Sequence, residues 1–80
     1  MGYGWALEQL QAGHKVCRMG WNGKGMYLRY VDAAAYEVDV TLPLDCRLLP
    51  WIGMKTADNC FVPWLCSQTD GLAVDWELAA

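Results

Sequence analysis

Apolar residues recur at helical spacing in the first part of the chain. Tyr3, Leu7 and Leu10 fall at positions i, i+4 and i+7, which lie on one face of a 3.6-residue period. Gly13 follows them, and glycine is favoured just beyond the C-terminus of a helix. The pattern therefore predicts a short helix over residues 1–12.

Beyond this helix the apolar residues alternate with a period of two, which is typical of β-strands. The alternation is clearest from residue 26, where Met26, Leu28 and Tyr30 share one side of the predicted strand. Residues 36–42 also alternate, which favours a strand in the least readable part of the chain, and Pro43 and Pro50 bracket a predicted loop. The predicted strands cover residues 16–19, 26–31, 51–56, 60–62 and 75–78.

Glycines, prolines and small polar residues separate these strands. Asn22-Gly23 between two apolar runs is a strong hairpin signal. Gly53 inside a strand indicates a bulge or a close neighbour, and Ser67 or Thr69 can cap a single helical turn. The predicted fold class is α+β, with one short N-terminal helix packed on a small twisted antiparallel β-sheet. We expect a single domain over residues 1–80.

The composition indicates that the domain associates with further copies of itself. The chain has 80 residues, 55% of them hydrophobic and five of them Trp. A domain this small buries only roughly 60% of its unfolded surface, and such scaffolds are often stabilised by disulfides, a metal or oligomerisation. We therefore expect the surplus apolar surface to form a homo-oligomer interface.

The net charge is −3, and the six Lys and Arg residues are scattered rather than clustered. A nucleic-acid polymer normally requires a basic stripe, so that class of ligand is disfavoured, whereas a small phosphorylated ligand is not. The chain has no apolar run of about 18 residues and no apolar leader. We expect neither a membrane span nor a signal peptide, and a cytoplasmic location.

Four cysteines occur without a C-x-x-C pair. In a reducing compartment they are expected to be free and buried. Together with the single His14 they make a poor zinc site, so no metal and no cofactor is predicted.

The residues offer little for catalysis. Nucleophilic catalysis needs a base beside Ser, Cys or Thr, and the one histidine lies in a turn. Lys24 follows a glycine-rich stretch but is not followed by the Ser or Thr of a phosphate-binding loop that hydrolyses nucleotides. Asp58 and Asp70 lie in predicted turns, where aspartate usually caps backbone N–H groups. A non-enzymatic protein is favoured, and a phosphodiesterase that uses Asp58 or Asp70 is the alternative.

A binding pocket is the stronger hypothesis. Aromatic faces such as Trp21 stack on nucleobases, at roughly 1–3 kcal/mol per contact. Lys24, Lys55 and glycine N–H groups neutralise phosphates, and Asn22, Gln68 and Asp70 suit ribose hydroxyls and base edges. Against this, Trp21 equally suits the core of a tight hairpin. A third alternative is a Trp-rich surface that binds another polypeptide.

Four short blocks in the same order resemble the Thoeris anti-defence protein two family of small phage domains. The blocks cover residues 21–28, 54–58, 62–65 and 67–77, and the segment 3–16 fits as well. The resemblance breaks through residues 32–49. Asn59, Cys60 and Cys66 also depart from it, since the family often has Gly at the first of these positions and Ala at the last.

The resemblance implies a non-enzymatic sponge that functions in the host bacterial cytoplasm. Such proteins are homotetramers that hold glycocyclic ADP-ribose, the signal of a TIR-domain enzyme, in pockets between protomers. Some members also bind cyclic di- or trinucleotides of cGAS-like (CBASS) systems at a separate site. Carried onto matching positions, Trp21 stacks on the base, and the remaining ligand-binding residues are Asn22, Gly23, Lys24, Met26, Thr56, Gln68, Thr69 and Asp70.

Overall fold

The computed structural model describes residues 1–21, 25–43 and 45–80. These residues form a single five-stranded antiparallel sheet with strand order β4-β3-β2-β1-β5 and a helix packed against it. The predicted α+β class is therefore confirmed. The elements in chain order are α1 Tyr3–Gln11, β1 Val16–Arg18, β2 Tyr27–Val31, a 3₁₀ helix Ala33–Ala35, β3 Trp51–Lys55, β4 Phe61–Pro63, α2 Gln68–Gly71 and β5 Trp76–Leu78.

Helix α1 ends as its sequence predicts. Gly13 has a φ of +94°, which favours glycine. Its N–H donates to the carbonyl of Leu10 at 3.0 Å, and the N–H of His14 donates to the carbonyl of Gln9 at 2.9 Å. These bonds satisfy carbonyls at the helix end. Among the residues described, no helix has the length and apolar character needed to cross a membrane.

The core lies between α1 and one face of the sheet, which we call the covered face. Leu28 pairs with Val16 on one side and with Met54 on the other, and this register sets the alternation that the sequence predicts. Ala6 and Leu10 of α1 pack against this row. The fully buried side chains of the described residues are Ala6, Leu10, Val16, Leu28 and Trp76.

The opposite side of the sheet, the open face, carries Trp51 and Phe61. Their ring centroids are 5.8 Å apart, and both rings lie over Gly53. A β carbon added at Gly53 would overlap the two rings. The close neighbour expected at this glycine is therefore present, and it is a pair of aromatic side chains.

Residues 36–42 form no strand, so the strand that their alternation favours is wrong. A further strand could pair only with the edge strands β4 or β5, and residues 36–42 form a ladder with neither of them. The three alanines before it form the 3₁₀ turn Ala33–Ala35. The Asp32 side chain caps this turn by accepting from the N–H of Ala34 at 3.0 Å.

The cysteines correct a second expectation. All four are free, but Cys46, Cys60 and Cys66 are exposed and only Cys17 is half-buried. The prediction of burial is wrong for these three because they lie in connecting segments rather than on the covered face. Burial and the neighbouring Glu77 carboxylate raise the pKa of the Cys17 thiol.

Candidate functional site

Of the predicted binding residues that the structure describes, Trp21, Met26 and Thr56 lie in segments at one end of the sheet. Strands β1 and β3 end there, and β2, β4 and β5 begin there. The two-residue steps of the ladders place Met26 opposite Arg18 on one side and opposite Thr56 on the other. Asn22, Gly23 and Lys24, three of the predicted ligand contacts, lie outside the described residues.

Trp21 stands where β1 leaves the sheet. Its N–H donates to the carbonyl of Arg18 at 3.2 Å. Its indole meets that of Trp76 almost edge to face, with ring centroids 5.5 Å apart and an interplanar angle of 79°. The side chain is half-buried against the core. It is therefore anchored on one side, and part of its surface stays open to solvent.

A groove of about 560 Å³ runs beside this indole, and we call it the Trp21 groove. This volume lies within the ~300–1,000 Å³ range of small-molecule sites. Gly25 has a φ of +72°, and a β carbon there would lie 3.3 Å from Nζ of Lys55, so the backbone comes close to an ammonium group. The residues that shape the groove include Cys17, Trp21, Gly25, Met26, Tyr27 and Glu77.

Arg18 lines this groove and also links three segments of the chain. Its Nη1 donates to Asp70 Oδ1 at 2.7 Å, and its Nε donates to Asp75 Oδ1 at 2.8 Å. Asp75 Oδ2 accepts from the N–H of Gly20 at 2.8 Å. We call Arg18, Asp70 and Asp75 the clasp, because they join the end of β1, helix α2 and the start of β5.

The clasp holds both of its carboxylates in the ionised form. Partial burial tends to raise the pKa of Asp70, but hydrogen bonds from Arg18 and Ser67 outweigh it and leave the pKa lowered. The hydrogen bond from Arg18 lowers the pKa of Asp75, and the N–H of Gly20 adds to this effect. The clasp thus pairs one positive charge with two negative charges, and neutral donors such as the Gly20 N–H and the Ser67 hydroxyl complete its hydrogen bonds.

The remaining candidates are placed differently. Gln68 and Thr69 are exposed on α2, with the helix capped by the Ser67 hydroxyl, which accepts from the N–H of Asp70 at 3.1 Å. Thr56 lies in the β3–β4 turn, where its hydroxyl donates to Asp58 and accepts from the N–H of Cys60 at 3.0 Å. These three residues do not line the Trp21 groove. Because neighbouring strands lie about 4.8 Å apart, Thr56 is roughly 10 Å from β1.

Asn59, within the same turn, has a φ of +68°. Asparagine is one of the few residues besides glycine that adopt this conformation readily. The resemblance leads us to expect Gly at this position. Asn59 adopts the same left-handed backbone conformation, so the shape of the turn is retained.

A second groove of about 360 Å³ lies between α1 and β3. Its walls are largely apolar and include Tyr3, Leu7, Tyr30, Ile52 and Trp64. Burial raises the pKa of the Tyr3 hydroxyl to about 12, with a further contribution from Cys66. This groove contains none of the predicted binding residues.

Sequence reasoning missed Arg18 and the role of Asp75 as its partner. The alternation places Arg18 on the same side as the buried Val16. An arginine directed toward a core needs a carboxylate partner. The position of Arg18 in the alternation therefore indicated that it forms an ion pair. In the part of the chain that is described, no three His, Cys, Asp or Glu side chains are grouped to hold a metal ion.

The structure thus defines a small α+β domain with a ligand-sized groove beside a half-buried indole. Residues 1–79 match the family model of the Thoeris anti-defense 2-like domain. The chain is also similar to Thoeris anti-defense 2 of Bacillus phage SP01, with 39% identity over an 88-residue alignment that covers all of this chain and 96% of the relative. The chain belongs to the Thoeris anti-defense 2-like family, as the sequence blocks predict.

Proposed function

We propose that this protein counters Thoeris defence by binding a cyclic nucleotide signal, glycocyclic ADP-ribose, and withholding it intact. The observation that carries the proposal is the family match over residues 1–79. It supports an anti-Thoeris role in phage. Binding without cleavage, and a site of action in the host cytoplasm, are our extensions of that role.

The Trp21 groove supports a ligand with a base and phosphates. An anchored indole provides a stacking face at a low entropic cost, since its neighbour Trp76 already restricts it. The ammonium of Lys55, close to Gly25, is suited to a phosphate at the same rim. We assign the contacts to Trp21, Met26, Thr56, Gln68 and Thr69, together with Asn22, Gly23 and Lys24, and we assign Asp70 to the site through its position on α2.

The carboxylates of the site support retention over cleavage. The hydrogen bond from Thr56 lowers the pKa of Asp58, and the pKa of Asp70 is lowered as well. A general base works best with a pKa near the operating pH, so both groups are weak bases. A phosphodiesterase reaction through Asp58 or Asp70 is the alternative, and cleaved ligand would reveal it.

Exposed apolar side chains near α2 support a homotetramer whose protomers complete the site. Leu65 is 90% exposed, and Leu72 and Val74 are each 79% exposed. Contiguous apolar patches mark interaction sites, and we assign this one to a second copy of the chain. Leu72→Asp should shift the protein to a smaller species in light scattering. An unchanged mass would contradict this interface, and capture of a different polypeptide by these residues would favour the interaction module.

The central experiment measures whether the ligand is kept and returned. The protein is mixed with glycocyclic ADP-ribose, filtered and then heated, and the released nucleotide is identified by mass spectrometry. We expect intact glycocyclic ADP-ribose from the wild type. The same procedure with cyclic di- and trinucleotides tests binding of CBASS signals. Recovery of a linear product would contradict sequestration and show that the protein hydrolyses its ligand.

Trp21→Leu tests the stacking face while it keeps an apolar side chain against Trp76. We expect affinity to fall by roughly 5- to 150-fold, the equivalent of the ~1–3 kcal/mol of one base–aromatic contact. Trp5→Leu on α1 is the matched control and should bind as the wild type does. Equal affinities of the two variants in calorimetry would remove Trp21 from the site.

A further inference from the structure

We infer that Arg18 is a positioning residue of the binding site and that Asp70 acts through Arg18 rather than by contacting the ligand. The inference rests on the proposed function and separates the residues that contact the ligand from those that position them. Trp21 lines the groove, Gln68 and Thr69 are exposed on α2, and the clasp holds the segments that carry these predicted contacts.

The first argument is that the polar atoms of Asp70 are already used. Oδ1 accepts from Arg18 at 2.7 Å, and Oδ2 accepts from the Ser67 hydroxyl at 3.0 Å. The backbone carbonyl of Asp70 accepts from Nε1 of Trp76 at 3.0 Å. An anionic carboxylate also repels phosphates, so it is a poor direct contact for a phosphorylated ligand.

The second argument is that one guanidinium joins the two segments that carry the predicted contacts. Asp70 fixes α2, and with it Gln68 and Thr69. Asp75 fixes the turn before Trp21, because its Oδ2 accepts from the N–H of Gly20 and its carbonyl accepts from the N–H of Met19 at 3.0 Å. The side chains of Arg18 and Asp70 are only 18% and 17% exposed, so water competes weakly for these bonds.

The third argument is geometric. Arginine donates through two separate nitrogens in a fixed plane, whereas lysine offers a single nitrogen. Here Nε and Nη1 serve two different carboxylates. Lysine can keep the positive charge but cannot hold both carboxylates in this geometry. Arg18→Lys therefore separates positioning from charge.

The experiment compares Arg18→Lys and Asp75→Asn with Asp39→Asn, a matched carboxylate change in the exposed loop. Calorimetry with glycocyclic ADP-ribose should show roughly tenfold weaker binding for both clasp variants, which corresponds to 1.4 kcal/mol, and no change for the control. Asp75→Glu restores the charge and should recover part of the affinity.

A second readout does not depend on the ligand. The indole N–H resonance of Trp21, assigned by its loss in Trp21→Leu, should shift and broaden in Arg18→Lys, while that of Trp5 stays in place. If the wild type binds no nucleotide, the proposed function fails, and this resonance still decides whether the clasp positions Trp21. Clasp variants with wild-type affinity and an unmoved Trp21 resonance would overturn the inference. Thermal melting of Arg18→Lys confirms that the fold persists, and if Asp75→Asn unfolds, Arg18→Lys and Asp75→Glu decide the question.

Discussion

The two faces of the sheet differ in how deeply they bury their apolar side chains. On the covered face Val16, Leu28 and Trp76 are at most 1% exposed. On the open face Trp51 is half-buried and Phe61 is 48% exposed, although their rings are also in contact. The covered face thus supplies the burial that keeps this small domain folded. The open face tolerates exposure, which leaves it available to other molecules.

The largest effect that this comparison predicts is at Trp76. Its indole contacts Tyr3, Trp21 and Trp64, and its N–H is bonded to the carbonyl of Asp70. Trp76→Ala should remove about 3–5 kcal/mol of stability, a large share of what a domain of this size has. We expect its cooperative thermal transition, followed by circular dichroism, to disappear.

Trp51→Ala is the control for that experiment, because it removes the same side chain from the open face. It should keep a cooperative transition with a smaller loss of stability. Comparable melting temperatures for the two variants would show that the faces are not energetically distinct.

An intermediate effect is expected at Gly53. Gly53→Ala places a methyl group in the space of the Phe61 and Trp51 rings. Such overpacking costs about 1–3 kcal/mol. Denaturant unfolding of Gly53→Ala, Phe61→Ala and the double variant measures it. Since removing the Phe61 ring frees most of the space, the two changes should couple. Strictly additive losses would mean that the rings move aside freely.

The smallest effect is expected from acid. The pKa values of Asp70 and Asp75 are lowered by folding. Their contribution to stability is therefore complete above the unfolded value of about 3.9 and is lost as pH falls through the lower folded values. The melting temperature should decrease below about pH 4, and less steeply for Asp75→Asn than for Asp39→Asn. Identical slopes would show that the clasp carries no pH-linked stability.

Much of the fold could be predicted because its elements have local causes. The end of α1 follows from Gly13, the sides of β2 follow from the alternation around Leu28, and the cap of α2 follows from Ser67. Residues 36–42 show the limit of this reasoning. Their alternation is local, but a strand also needs a partner, and partners are assigned by the whole sheet.

The candidate site was predicted as a set of residues but not as an arrangement. Trp21, Met26 and Asp70 do meet at one end of the sheet, within the described residues. Arg18, which joins their segments, was passed over because each of its carboxylate partners is more than 50 residues away along the chain. Thr56 is set apart from Trp21 because strand β2 lies between β1 and β3, the strands that their segments follow.

By itself the sequence determined the family of this protein and its α+β class, since these depend on short-range patterns and on ordered blocks. The tertiary structure alone decided the strand order, the face on which each aromatic ring lies and the ion pairs that hold α2 to β1. The physical reason is that hydrogen-bonded ladders, aromatic packing and charge pairing act through space between segments far apart in the chain. No local pattern records which of those segments will meet.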